Sequence, residues 1–282
     1  MTILVTGARG NIGARLIPAL TRAGQQVRAT ARDITAPGLP AGIETVELDL
    51  TDPVGAEKAL SGIESVFLYP ARGSIAGFLE AAKEAGVRYV VLLSSPASFE
   101  AHEHDRHIGL VHRAIERSLE DSGLPHTLLY PSWLATNAAR DWAPGIRANG
   151  TVRLAFPDAQ FTPIHLDDVA EVAARLLARD DHRARIQVLT GPESLRLREI
   201  VAILSEELGR GPIPIETLTR RQALDARPPW MPEPVLDALL DAEAAAVDVA
   251  APVNNAVERI TGHPARTFRT WAQAHRADFT SP

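Results

Sequence analysis

The sequence of 282 residues predicts an α/β protein, a doubly wound parallel sheet followed by a smaller, mostly helical C-terminal region. Three observations carry this. Apolar strand-length runs alternate with amphipathic helical stretches over residues 1–190. Runs such as Tyr89-Val90-Val91-Leu92-Leu93 are continuously apolar, as strands covered on both faces are. A glycine-rich loop, Gly7-Ala8-Arg9-Gly10-Asn11-Ile12-Gly13, separates the first strand from the first helix.

Residues 2–6 read as a buried strand. Residues 12–23 read as a helix with Ile12, Leu16, Ile17 and Leu20 on one face and Gly24 as its stop. Pro18 inside it is expected to kink it or cost stability. Strands follow at 26–31, 43–48, 66–69 and 89–94, with a helix at 74–85. A helix at 107–122 ends at Gly123 and Pro125. Next come a strand at 126–130, a Trp-, Pro- and Gly-rich loop to Gly150, a helix at 167–179 and a strand at 186–190. Beyond Gly191-Pro192, helices are expected at 196–208, 218–227, 233–247 and 266–277. The plan is a dinucleotide-binding unit at 1–190, whose segment 131–165 contributes to a substrate pocket, and a substrate region at 191–282.

Composition excludes several classes. With 45% hydrophobic residues and a net charge of -6 the chain is not a disordered polymer. Without cysteine it has no disulfide, thiolate-zinc site or cysteine nucleophile. No apolar run of about 18 residues is present. The N-terminus lacks the basic region of a signal peptide, so a cytoplasmic location is expected. A pI near 5.9 without a Lys/Arg block argues against nucleic acid. The expected partner is a small-molecule substrate, and no metal site is expected.

The glycine loop points to a dinucleotide. Gly7 permits a tight turn, Gly10 lets backbone approach a pyrophosphate, and Gly13 lets the helix pack on the strand. Asn11 and Ile12 stand at the helix start, whose free N–H groups suit phosphate. The spacing is GxxGxxG, set in the strand–loop–helix–strand context of a Rossmann-type fold. Arg32 ends the second strand, where an arginine would receive the 2′-phosphate of NADP(H), and Arg9 adds a second guanidinium. NADP(H) is therefore favoured over NAD(H). The other reading makes Arg32 a solvated charge and gives the ribose to Asp33. Asp49-Leu50, Tyr69-Pro70 and Ser94-Ser95 end later strands on the same ligand-binding edge, with Asp49 placed to accept from an adenine amine.

The segments ILVTGARGNIG, VRATARD, ELDLTD, VVLLSS, LEDSGLPHTLLYPSWLATN, FTPIHLDDVA and LTGPESLRLREI resemble the atypical, NmrA-like branch of the short-chain dehydrogenase/reductases, which includes NADPH:quinone reductase-type proteins. They span about 70% of the chain. The resemblance implies NADP(H) on a Rossmann fold, with Pro131, Trp133 and Asn137 at the nicotinamide end.

The sequence departs from the superfamily at catalysis. The Tyr-xxx-Lys pair is absent, and Ile108 and His112 stand at its positions. Four histidines, His102, His104, His107 and His112, cluster there, with Glu103 and Asp105 among them. Three readings remain open: His112 or His107 as a proton donor, a metal site, or a polar loop and solvated helix face. Hydride transfer to an easily reduced acceptor needs no side-chain acid. Trp133, Trp142 and Phe156 offer flat apolar faces to such an acceptor, or are plain core. Asp167-Asp168 reads as a helix N-cap, and Trp230-Met231 as a lid or as surface packing. The sequence thus predicts an NADPH-dependent reductase of a small conjugated or aromatic carbonyl or a quinone-like acceptor. An NADP(H)-binding sensor and a non-redox lyase, cyclase or isomerase stay open beside it.

Overall fold

A computed structural model describes residues 1–52, 54–71, 73–98 and 108–280, without the side chain of Ile108. β1 (Thr2–Val5) leads through the glycine loop to α1 (Gly13–Arg22), β2 (Gln26–Ala31) and β3 (Glu44–Glu47). Then come α2 (Ala56–Leu60), β4 (Ser65–Leu68), α3 (Ala76–Glu84), β5 (Tyr89–Leu93) and a 3₁₀ turn at Pro96–Ser98. α4 (Ile108–Ser122), β6 (His126–Pro131), α5 (Asn137–Asn149), β7 (Val152–Leu154), β8 (Gln160–Phe161), α6 (Leu166–Ala178) and β9 (Ile186–Leu189) follow. The rest is β10 (Leu195–Arg196), α7 (Leu197–Glu207), β11 (Ile215–Thr217), α8 (Arg220–Asp225), α9 (Glu233–Ala245), α10 (Ala256–Thr261), α11 (Phe268–Ala274) and α12 (Ala277–Thr280).

The central sheet is parallel throughout, in the order β3-β2-β1-β4-β5-β6-β9. Side chains alternate across it, so each face has its own core. Ile3, Val5, Val91 and Leu129 meet α1, α6 and α10 on one side. Leu4, Val66, Val90 and Leu128 meet α2, α3 and α4 on the other. A third core joins Trp142 and Ile146 of α5, Val152 of β7, Ile200 and Leu204 of α7, and Phe268 and Trp271 of α11. The seven strands of the central sheet and the helical C-terminal region are therefore as expected, while the short strands β7, β8, β10 and β11 had no expectation.

Several local expectations are corrected. The loop expected to run to Gly150 contains α5. Ala138, Trp142, Ala143 and Ile146 form a buried helical stripe, while Pro144 and Gly145 read as breakers. Pro144 is exposed and four residues after exposed Arg140, so the carbonyl it leaves unpaired can meet water. Pro18 likewise sits on the solvent face of α1, four residues after exposed Ala14, and the helix continues through it. The helix expected at 266–277 divides into α11 and α12 at His275, whose ring stacks on Trp271 at 4.5 Å and whose Nδ1 bonds the Trp271 carbonyl. The short helices α2 and α10 had no expectation. Among the described residues, no helix is long and apolar enough to cross a membrane.

Candidate active site

The strand order reverses between β1 and β4, and there the carboxyl ends of the strands diverge. A cleft of about 860 Å³ opens at this point. Gly7, Arg9, Gly10, Arg32, Asp49, Leu50, Tyr69 and Pro70 line it, eight of the residues selected from sequence. Gly7 has φ 63°, and a Cβ on it would lie 2.9 Å from Cβ of Tyr69. A Cβ on Gly13 would run into the Gly7 carbonyl oxygen, so loop and helix touch only because Gly13 lacks one. A Cβ on Gly10 would lie 3.1 Å from the same oxygen. Ile12, at 1% exposure, belongs to the core, so only its backbone is available to a ligand. Among the described residues the amides of Arg9, Asn11 and Ile12 have no hydrogen-bond acceptor, which is the donor set an anion at a helix start requires.

Arg32 is exposed at the end of β2 and makes no hydrogen bond or ion pair among the described residues. Asp33 is already engaged. Its Oδ1 accepts from the Thr35 amide at 2.8 Å and the Thr35 hydroxyl at 2.6 Å, and these bonds hold its carboxyl below the usual range. Arg9 does not offer the second free guanidinium expected of it. Its Nη2 donates to the carbonyls of Asp33 and Ala36, tying the glycine loop to the segment after β2. Asp49 accepts from the Thr51 amide and hydroxyl through Oδ1, bonds that lower its pKa. The Tyr69 amide bonds Thr6 Oγ1 at 2.7 Å, and the Thr6 hydroxyl donates to Phe67, so a buried threonine sets the position of Tyr69.

A second polar centre lies at the ends of β5 and β6, under α4. Ser94 does not line the cleft; its hydroxyl donates to Oε1 of Glu116. Ser94 Oγ is also 3.3 Å from Nδ1 of His112. The Tyr130 hydroxyl donates to Glu116 Oε1 at 2.9 Å, and Arg113 Nη1 lies 3.2 Å from Oε2. Glu116 is wholly buried. Burial pushes the Tyr130 phenol up to about 12 and holds the His112 imidazole below its ordinary value, against the pull of Glu116. Sequence reading selected Ser94 and His112 but missed Glu116 and Tyr130. The available signal was an acid one turn beyond His112, on the apolar stripe beside Ile115 and Leu119. His102, His104 and His107, with Glu103 and Asp105, lie outside the described residues.

The substrate-side aromatics separate. Trp133 is half-buried, 5.9 Å from Trp142 and 6.4 Å from Phe161 between ring centroids. Trp142, at 5% exposure, is core and backs Trp133 instead of facing a ligand, because it points inward from α5. Phe156 packs partly buried on the same core. Asn137 opens α5, and Pro131 is buried at the end of β6. Trp230 is exposed, with the Arg140 guanidinium 5.9 Å from its ring. The Asp167-Asp168 expectation is corrected. His165 caps α6 by accepting from the Asp167 amide, and Asp168 is buried against Arg266. Asp168, Glu171 and His263 bring ligand atoms within 4.8 Å of one another, a grouping no sequence signal had flagged. Arg266 donates to both carboxylates.

Fold and cleft together define a Rossmann-type dinucleotide-binding protein. Residues 7–180 match a family model described as NAD(P)H-binding, and the chain belongs to that family. It is 37% identical to the (4-alkanoyl-5-oxo-2,5-dihydrofuran-3-yl)methyl phosphate reductase of Streptomyces griseus, covering 98% of this chain and 99% of that one. It is 32% identical to an NAD(P)H azoreductase of Xenophilus azovorans, over 98% of this chain and 99% of that one. The crystal structure of an NADPH-dependent quinone oxidoreductase from Escherichia coli superposes with a TM-score of 0.80 at 25% identity, covering 96% of this chain and 98% of that one. The expected quinone reductase-type resemblance agrees with these matches.

Proposed function

We propose that the protein is an NADPH-dependent reductase that passes a hydride to a small conjugated or aromatic carbonyl or a quinone-like acceptor. It is an oxidoreductase, and of the three relatives described two are named reductases and one an oxidoreductase. Those names describe an alkanoyl dihydrofuranone, an azo compound and a quinone, each an electron-poor π system. The observation that carries the cofactor preference is Arg32, exposed at the cleft without a hydrogen bond or ion pair among the described residues, while Oδ1 of Asp33 is occupied by Thr35. The residues present fit the dinucleotide: the unpaired amides of Arg9, Asn11 and Ile12 suit a pyrophosphate, and Arg32 suits a 2′-phosphate. NADPH, when bound, supplies the hydride. The chain's part is to hold the dinucleotide on the loop and to keep a flat acceptor in reach. Trp133, backed by Trp142, offers a stacking face for such an acceptor.

The test is oxidation of NADPH and of NADH by the purified protein with 1,4-naphthoquinone, an azo dye and an enone. NADPH oxidation with one or more of these, at higher kcat/KM than with NADH, is expected. Tight NADPH binding without oxidation by any of them overturns the reductase reading.

A further inference from the structure

Glu116 is a fully buried carboxylate that accepts from Ser94, Tyr130 and Arg113. A carboxylate in such a site only accepts, so the single proton of the Ser94 hydroxyl is spent on it. That leaves Ser94 Oγ with lone pairs toward Nδ1 of His112, 3.3 Å away. The hydrogen bond between them therefore runs from Nδ1–H to Oγ. A neutral imidazole carries one proton, so Nε2 is then bare. Burial keeps the imidazole neutral at neutral pH. Among the described residues Nε2 has no partner.

We propose that Glu116 is a positioning residue: acting through Ser94 it fixes His112 in the Nδ1–H tautomer, so that His112 presents a hydrogen-bond acceptor at Nε2. A ligand that hydrogen-bonds it there must donate, through a hydroxyl or N–H. This reverses the proton-donor reading of neutral His112. Tyr130 and Arg113 hold Glu116 from the other sides, which fixes the direction of the whole chain of bonds. The tautomer stands on geometry alone, and only its use in reduction rests on the reductase reading.

The primary test is long-range ¹H–¹⁵N NMR of the ligand-free, ¹⁵N-histidine protein, with His112 assigned by its loss in His112→Gln. Wild type is expected to show a protonated Nδ1 and an unprotonated Nε2. The opposite pattern overturns the proposal. Ser94→Ala removes the acceptor, and Ser94→Thr restores it. In Glu116→Gln the amide N–H₂ is repelled by Arg113, turns toward Ser94 and reverses its hydroxyl. Both Ser94→Ala and Glu116→Gln are expected to shift the proton to Nε2, and retention of Nδ1–H in both overturns the proposal. With 1,4-naphthoquinone, both variants are expected to lose at least about tenfold in kcat, with the Kd for NADPH within about twofold. Unchanged kcat in both variants refutes a role for the tautomer in reduction. If wild type reduces nothing, the reductase reading fails alone, and the NMR result still decides the tautomer.

Discussion

Replacing Arg32 with alanine isolates one contact. Arg32 has no hydrogen bond or ion pair among the described residues and only a minor attraction to the Asp49 carboxylate, so stability should change by less than about 0.5 kcal/mol. A charge-assisted hydrogen bond is worth about 1.5–3 kcal/mol. Arg32 is exposed, so screening places this contact at the lower end, near 1.5–2 kcal/mol. That corresponds to roughly 10–30-fold weaker NADPH binding. Nη2 of Arg9 is already held by the carbonyls of Asp33 and Ala36. NADH lacks the 2′-phosphate, so its affinity should change by less than about twofold. Fluorescence titration with each nucleotide at low and high salt measures both, and the NADPH effect should shrink as salt rises. Equal losses for the two nucleotides would refute the assignment of Arg32 and return the ribose to Asp33.

Other perturbations test other parts of the structure. Gly13→Ala drives a methyl into the Gly7 carbonyl, so it should abolish measurable dinucleotide binding in titration and cost about 1–3 kcal/mol in denaturant unfolding. Normal NADPH affinity in that variant would mean that the loop does not need this contact. Arg266→Met leaves the wholly buried Asp168 without its cation and should cost about 3 kcal/mol by urea unfolding; a loss below about 1 kcal/mol would mean that the pair is not the clasp it resembles. Burial raises the Glu243 carboxyl to about 7, and Asp141 adds to the shift. A raised carboxyl pKa favours the folded state while the group is protonated, and this contribution fades as pH rises through about 7. Glu243→Gln should therefore raise Tm at about pH 8 and leave it unchanged near pH 4.5; a larger gain at the lower pH would contradict this environment.

The lining of the cleft was legible because it is written in short runs of residues at the ends of strands. The residues from Gly7 to Gly13, then Arg32 and Asp49, each close a strand or open a helix, and a parallel sheet brings such positions to one edge. Glu116 was not legible, because its partners come from β5, α4 and β6 and meet only through tertiary packing. An acid on an apolar helix face has no local reason to be there. The bonds of Arg9 were not legible for a similar reason: the carbonyls its Nη2 holds belong to a segment whose path after β2 no local pattern specifies. Helix α5 was hidden by Pro144 and Gly145, whose local cost is outweighed by the burial of Trp142 and Ile146.

The third core gives the chain an unexpected unit of exchange. Trp142 and Ile146 share it with Ile200, Leu204, Phe268 and Trp271, so the segments before and after residue 190 are one hydrophobic object. A chimera that takes its C-terminal part from a relative at a crossover near 190 would splice two halves of a core that never evolved together. A crossover just before Pro131 would carry α5 and its packing partners across as one piece, but it would part α6 from α1 in the first core, so each choice of boundary decides which core is divided.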